Sequence, residues 1–274
     1  MSPAIPTLLP VPRTAISAHR GGAGLWPENS REAFRNAAVL GVESVEFDVH
    51  RTADGELVVH HDAMLGRTSE GSGEIAGMRW AELKRVALRG APGEAVPHLD
   101  EVLAILGPAP VDLRLEIKQP RPGAIYDGIE AEIVDRLRAA GLLERTAFTS
   151  FDTRILARLC ADHAHERLIY LVRSETHEAH GRDVTRPCGE ARAAGVPELA
   201  IRVTQIRPDD RARCEAAGLR FGAFGVNDQP AIDWALAAGM CAFTTDRPDL
   251  ALATRARIAA RGYPREPRVA GGAA

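Results

Sequence analysis

Residues 44–50 read SVEFDVH, a run in which apolar and ionisable side chains alternate. Side chains of a β-strand point alternately to opposite faces, so Glu46 and Asp48 share one face while Phe47 and its two valine neighbours share the other. Three large apolar side chains on one face predict packing against helices, and both carboxylates then face the interior of a curved sheet. The alternative, a surface strand that exposes the carboxylates, would turn the three apolar side chains to water.

Seven further β-type runs alternate with Ala-, Arg- and Leu-rich segments of helical period. Eight strands joined by helices predict a parallel sheet closed into a TIM (β/α)8 barrel, with a doubly wound open sheet as the alternative. The glycine-rich HRGGAGLWPEN after the first strand runs into Pro27 rather than into a helix, which disfavours a dinucleotide-binding turn. The eight predicted strands cover residues 14–19, 44–50, 113–118, 146–151, 167–172, 198–203, 219–226 and 241–245. The predicted helices cover residues 30–41, 100–107, 125–141, 153–163, 190–195, 210–218, 231–239 and 248–262.

The interval between the second and third predicted strands, residues 51–112, is too long for one crossover. Within it, ADGELVVHHD reads as a turn at Asp54–Gly55 that leads into a strand, and residues 66–77 read as a loop. No linker composition marks a domain boundary. We therefore predict one domain over residues 1–274, with residues 51–98 as a small insertion beside the barrel.

The composition excludes several classes of partner. The 34 Lys+Arg and 37 Asp+Glu residues give a formal net charge of −3, which provides no general attraction to nucleic acid or to anionic lipid. No apolar run approaches the roughly 20 residues that cross a bilayer, and prolines interrupt the N-terminal segment, where no export signal is visible. The four cysteines lie far apart without metal-ligand spacing. We expect a soluble cytoplasmic protein with no nucleic-acid partner and no stable membrane association.

Polar residues at the carboxyl ends of barrel strands are the candidates for chemistry, because active sites of such barrels are built there. The first predicted strand ends in His19 and Arg20. A histidine can transfer protons near neutral pH, although a lone histidine is more often structural, and a guanidinium suits phosphate oxygens. We expect Asn29 and Ser30 to cap the following helix rather than to bind a ligand, with Glu32 completing a capping box from Asn29.

The third predicted strand repeats the alternation, since Glu116 and Lys118 project to one side of LRLEIK. A simple ion pair between them is the alternative, but it does not explain why they stand in line with Glu46 and Asp48. Carboxylates this close raise one another's pKa unless a cation neutralises them. An all-oxygen set from the three acids suits Mg²⁺ or Ca²⁺ rather than zinc, and we predict a site for a divalent cation.

Two adjacent histidines end the strand of the insertion. Alternation puts His60 and His61 on opposite faces, so only one of them can enter a shared site. His61 precedes Asp62, a carboxylate near enough to orient it for proton transfer. We expect His60 to be packed or exposed.

Five segments together carry a resemblance to a known family: HRGGAGLWPENSREAF, VEFDVHRTADGELVVHHDAMLGRTSEGSG, VPHLDEVL, LRLEIK and TTDRPD. In this order and spacing they resemble the glycerophosphodiester phosphodiesterase family. The resemblance implies a TIM barrel with a small insertion after the second strand, and metal-dependent hydrolysis of glycerophosphodiesters to glycerol 3-phosphate and an alcohol. It also implies roles for single residues: general acid and base for His19 and His61, ligation of the cation for Glu46, Asp48 and Glu116, and phosphate contact for Arg20 and Lys118.

Three positions depart from the family's usual pattern. The family's PENT motif reads PENS in this sequence. His98 stands where the family usually has Thr, and Phe224–Gly225 stands where it often has Trp. The smaller apolar wall predicts that the alcohol part of the substrate is read loosely, unless the loop of His98 supplies a specific partner. Two other functions stay open: phospholipase D-like cleavage that stops at a cyclic phosphate, and non-catalytic binding of a phosphodiester.

Overall fold

Eight parallel strands close into a barrel in the computed structural model, which describes residues 14–163 and 167–261. The barrel closes because β1 pairs with both β2 and β9, and this closure excludes the open sheet. One further strand, β3, runs antiparallel to β2. The TIM-barrel prediction is confirmed, and each predicted strand overlaps an observed one. The strands are β1 Ala15–Ala18, β2 Ser44–Arg51, β3 Leu57–Val59, β4 Asp112–Ile117, β5 Thr146–Ser150, β6 Leu168–Leu171, β7 Glu198–Arg202, β8 Arg220–Phe224 and β9 Ala242–Thr245.

Helices follow the strands and form the outer layer. Three of them were not foreseen in this form. The helices α2 and α6 are additional, and α7 begins five residues before the predicted start, because Pro187 is tolerated in a first helical turn. No helix of the described ranges is long and apolar enough to cross a membrane. The helices are α1 Arg31–Val39, α2 Trp80–Leu83, α3 Leu99–Leu106, α4 Ile129–Ala139, α5 Thr153–His163, α6 Ser174–Ala179, α7 Thr185–Ala193, α8 Asp210–Ala216, α9 Gln229–Ala237 and α10 Pro248–Arg261. The proline-rich segment 1–13, on which the expectation about an export signal rests, lies outside the described residues.

The two faces of β2 are used as the alternation predicts. Phe47 and its valine neighbours are fully buried in the main core, where the Phe47 ring meets the edge of the Phe34 ring of α1 at a centroid distance of 5.9 Å. Asp48 lies beside Glu116 in the register of β2 and β4, and both point into the barrel. The helices therefore pack on apolar side chains, while the carboxylates of Asp48 and Glu116 lie inside the barrel.

The segment between β2 and α3 contains β3, α2 and a one-turn 3-10 helix, Ile75–Gly77. Gly55 adopts a φ of +88° in the turn that reverses the chain into β3. The backbone N–H of His60 then donates to the carbonyl of Asp48, so β3 returns the chain to the level of the β2 carboxylates. This segment has an apolar cluster of its own, formed by Val58, Leu65, Ile75, Leu83, Leu88, Ala91 and Val96.

Replacing Phe47 by Ala tests the assignment of its face to the core. We expect Phe47→Ala to lower the free energy of unfolding by about 3–5 kcal/mol, because a fully buried ring is lost and the cavity refills only in part. Val39→Ala is the control: Val39 is 85% exposed, and its truncation is expected to change stability by less than about 0.5 kcal/mol. Urea denaturation followed by circular dichroism measures both, and equal effects would contradict the assignment.

Candidate functional site

The candidate site is a cavity of about 300 Å³ at the carboxyl ends of the strands. His19 and Arg20 lie in the tight turn His19–Gly21 directly after β1, while His61 follows β3. Glu46 and Glu116 come from β2 and β4. All five line the cavity, so the structure brings together the residues that the sequence singled out, and Asp48 and Lys118 bind to them as described below.

Three buried carboxylates form the floor of the site. One oxygen atom of each of Glu46, Asp48 and Glu116 lies within 4.8 Å of the others. Burial and the charge of Asp48 raise the pKa of Glu46 to about 7, and burial also raises the pKa of Glu116. A divalent cation would favour ionisation of all three groups, and oxygen donors alone are the set that Mg²⁺ and Ca²⁺ prefer. The residues therefore fit a hard divalent ion.

Two cations of the protein touch this cluster. The Lys118 ammonium lies 2.7 Å from Glu116 Oε1 and 2.9 Å from Asp48 Oδ1, so the ion pair considered from the sequence is present but includes the second acid. The Arg20 guanidinium lies 3.4 Å from Asp48 Oδ2. Burial favours a high pKa for Asp48, but Lys118 and Arg20 outweigh it and hold that pKa well below its usual range. Asp48 is thus ionised whether or not a metal binds.

Each of the two site histidines has a carboxylate on Nδ1. The Nδ1 atom of His19 lies 2.5 Å from Asp246 Oδ1, and that of His61 lies 2.6 Å from Asp62 Oδ1. A carboxylate only accepts, so Nδ1 carries the proton and Nε2 of each ring is the nitrogen that can accept one. In His19 that atom lies 4.0 Å from Glu46 Oε2. Both histidines line the cavity.

The surroundings of the two rings shift their pKa values in opposite directions. Burial lowers the pKa of His19, but the hydrogen bond to Asp246 and the charge of Glu46 outweigh it and raise the pKa overall. Burial and the neighbouring Lys118 ammonium lower the pKa of His61 to about 4. His19 therefore holds its second proton more tightly than His61 does.

One expectation about the loop before α1 is wrong. The cap is Ser30, whose side chain accepts from the N–H of Ala33 at 3.0 Å. Asn29 adopts a φ of +55° and donates from Nδ2 to Asp48 Oδ2 at 2.8 Å. The expected capping box between Asn29 and Glu32 is not formed, and the backbone N–H of Glu32 donates to Glu94. The helix begins one residue later than a cap at Asn29 requires, and this places the Asn29 amide inside the barrel.

Several residues near the site were not assigned a role from the sequence. Arg67 donates to Asp62 Oδ2 at 2.7 Å and to Glu28 Oε1 at 2.8 Å, and Glu28 also accepts from Arg20 at 2.8 Å. This chain of ion pairs links the carboxylate behind His61 to the arginine that touches Asp48. Glu28 and Asp246 lie in the PEN and TTDRPD segments, so the resemblance to the family was the only sequence feature that drew attention to them. Loop residues follow no periodic pattern, and the sequence therefore does not show where their side chains point.

His60 and His98, the two other histidines considered from the sequence, have structural partners. His60 is buried and its Nδ1 lies 2.8 Å from the carbonyl oxygen of Asp62, which confirms the expectation that it is packed. His98 caps α3, where Nδ1 accepts from the N–H of Asp100 and Nε2 lies 2.9 Å from Glu56 Oε2. His98 is outside the cavity and does not supply the substrate contact that the sequence left open.

Comparisons with known proteins agree with this geometry. The sequence model of the glycerophosphoryl diester phosphodiesterase family matches residues 19–250. A glycerophosphodiester phosphodiesterase of Caldanaerobacter subterraneus subsp. tengcongensis is 33% identical over 51% of this chain, and the match spans 59% of that relative, less than two thirds of its length. A crystal structure from Agrobacterium tumefaciens, assigned to the glycerophosphoryl diester phosphodiesterases, has a TM-score of 0.85 and 33% identity, with 90% of this chain and 99% of that one covered.

A second solved structure carries a ligand. It is a phosphodiesterase of Oleispira antarctica in complex with the product sn-glycerol-3-phosphate, with 26% identity, a TM-score of 0.74 and coverage of 88% of this chain and 96% of that one. The family match covers far more than half of the described chain and begins at His19, the first residue of the site. This chain belongs to the glycerophosphoryl diester phosphodiesterase family.

Proposed function

We propose that the protein hydrolyses glycerophosphodiesters to glycerol 3-phosphate and an alcohol, with Mg²⁺ or Ca²⁺ as cofactor. The observation that carries the proposal is one cavity in which two carboxylate-backed histidines stand over three buried carboxylates. The product bound in the Oleispira antarctica relative, sn-glycerol-3-phosphate, is the phosphate product that this proposal expects. In this proposal residues 1–274 act as one catalytic domain, and residues 51–98 are the insertion that supplies His61.

The charged residues of the site would bind the cation and the phosphate. Glu46, Asp48 and Glu116 would hold the cation, which would supply positive charge to stabilise the anionic phosphodiester. Arg20 and Lys118 would contact the remaining phosphate oxygens and spread the charge that develops as the phosphorus is attacked. The anionic phosphodiester would thus be held locally by a protein whose net charge is negative.

The two histidines would move the protons at their Nε2 atoms. One takes the proton of the attacking hydroxyl as its oxygen bonds to phosphorus, and the other gives a proton to the alcohol oxygen as its bond to phosphorus breaks. The attacking group is water or the neighbouring glycerol hydroxyl, and in the second case water then opens a cyclic phosphate. Analysis of products tests the proposal: a persistent cyclic phosphate would indicate the phospholipase D-like reaction, and no turnover would indicate a binding protein.

Removal of the metal tests whether the proposed reaction depends on a divalent cation. Chelation should abolish turnover of glycerophosphodiesters, and added Mg²⁺ or Ca²⁺ should restore it. Glu46→Gln and Glu116→Gln should each weaken metal binding, measured by titration calorimetry, with little loss of fold, because removing one like charge from the cluster relieves repulsion when no metal is bound.

The control for these variants is Glu198→Gln. Glu198 is also buried in the barrel, but it is the first residue of β7, at the opposite end, where it pairs with Arg220. Its replacement should leave the metal affinity unchanged. Full turnover in a chelated, metal-free sample would refute the metal requirement.

Loss of either site histidine is the second prediction. His19→Ala and His61→Ala should each lower kcat by roughly 10²- to 10⁴-fold, because each removes one proton-transfer group. His180→Ala is the control, since His180 is exposed on the outer surface after α6. An effect of less than about tenfold for either site variant would contradict the assignment.

An activated leaving group separates the two roles. A p-nitrophenyl ester of glycerol phosphate releases an alcohol that needs no protonation, so the variant that lacks the general acid should regain most of its activity with it. The variant that lacks the general base should stay impaired. Equal recovery of both variants would contradict the division of roles between His19 and His61.

A further inference from the structure

A second cleft, of about 700 Å³, opens beside the site. Its lining shares five residues with the first cavity, namely His61, Glu116, Phe151, Arg202 and Phe224. The two spaces therefore meet at one of the site histidines and at one of the three carboxylates. A phosphodiester bound at the carboxylate cluster can extend one of its two arms into this second cleft.

The second cleft carries an excess of positive charge. Of its five basic residues, Arg67 pairs with Asp62, and Lys118 pairs with Glu116. The other three are arginines, and the one acidic side chain of the lining that remains is Glu175. None of the ion pairs among the described residues includes the other three guanidinium groups, which belong to Arg121, Arg173 and Arg202, although the charge of Arg173 helps to lower the pKa of Asp152.

Two of these arginines are held in place by neutral partners. Arg173 donates to the amide oxygen of Gln119, and Arg202 donates from Nε to Ser174 Oγ at 3.0 Å. These hydrogen bonds orient the guanidinium groups without neutralising them. Since Arg173 and Arg202 are exposed to the cleft, their remaining N–H groups are available to an anion.

The same two arginines cover the aromatic rings of the cleft. Phe151 and Phe224 meet edge to face with centroids 5.8 Å apart. The Arg173 guanidinium lies 5.4 Å from the centroid of Phe151, and that of Arg202 lies 5.3 Å from the centroid of Phe224. An aromatic face is the surface on which a quaternary ammonium group binds. Here a cation of the protein already occupies one face of each ring, so a choline group would meet positive charge.

We propose that the second cleft selects glycerophosphodiesters whose alcohol carries an anionic group, a carboxylate or a phosphate, and disfavours cationic alcohols such as choline. The inference rests on the proposed function, and it replaces the loose reading of the alcohol predicted from Phe224–Gly225. Arg173 and Arg202 are the specificity-determining residues in this proposal, because each guanidinium lies over one of the two phenylalanine rings and neither forms an ion pair with a carboxylate of the described residues.

The test compares substrates that differ by one anion. Glycerophosphoserine exceeds glycerophosphoethanolamine by one carboxylate, and glycerophosphoinositol 4-phosphate exceeds glycerophosphoinositol by one phosphate. We expect kcat/KM to favour the anionic member of each pair by about tenfold or more, because two guanidinium contacts at a partly exposed site each contribute a factor of a few. The preference should fall to about threefold or less in the double variant Arg173→Gln/Arg202→Gln. A preference in only one pair would identify which anion the cleft binds.

The control removes two arginines elsewhere. Arg138→Gln/Arg182→Gln takes the same charge from arginines on the outer surface that pair with Asp135 and Glu178, and it should keep the preference. The double variant Arg173→Lys/Arg202→Lys keeps both charges and should retain part of the preference. That result would show that the loss of preference in the Gln variant comes from the lost charges and not from a loss of fold. Equal kcat/KM within both pairs, or an unchanged preference in the Gln variant, would overturn the inference.

Binding measurements keep the two proposals separate. Dissociation constants of all four compounds are measured by calorimetry on the His19→Ala variant, so the test does not depend on turnover. If no compound is hydrolysed by the unmodified protein, the proposed function fails, and the ratio of dissociation constants still tests the cleft. Equal affinities within both pairs would overturn the cleft proposal, even for an active enzyme.

Discussion

Three carboxylates buried together at one end of a barrel repel one another, and the polar structure around them compensates for that repulsion. Lys118 bridges two of them, the backbone N–H of Arg20 donates to Glu46 at 2.8 Å, and the Asn29 amide donates to Asp48. An uncompensated charge in such a place costs several kcal/mol. The partners are therefore needed for the fold, and the same convergence of oxygen atoms makes the site suitable for a hard cation.

The compensation requires a strained backbone in two places. Arg20 and Asn29 both have a left-handed φ, of +53° and +55°, which non-glycine residues rarely adopt. Between them Gly21 has a φ of +82°, and a Cβ atom there would lie 2.8 Å from the Cβ of Ala33 in α1. The turn after β1 is thus pressed against the first helix, which is why a glycine follows His19 and Arg20. Strain at a functional site is maintained when the surrounding packing over-determines the conformation.

The segment after β2 is part of the site, not an appendage of the barrel. Its first strand returns antiparallel to β2, and so His61 and Asp62 stand beside the carboxylates of that strand. Arg67, from the loop that follows, links Asp62 to Glu28 in the loop before α1. One side of the barrel mouth is therefore closed by ion pairs between two loops that are distant in sequence, and the remaining opening leads to the cleft of Arg173 and Arg202.

Alternation along β2 and β4 is a local property, with a period of two residues, and for this reason the sequence was sufficient to place Glu46, Asp48 and Glu116 on one interior face and Phe47 in the core. The number and spacing of such strands were sufficient for the barrel. The residues that contact the histidines and the carboxylates from the loops follow no such local pattern. Asp246 reaches His19 across 227 positions of the chain, and Asn29 turns inward because its helix starts one residue later than expected. Contacts between loops depend on closure of the barrel and on side-chain packing at its mouth, which no periodic pattern encodes, so the tertiary structure alone decided them.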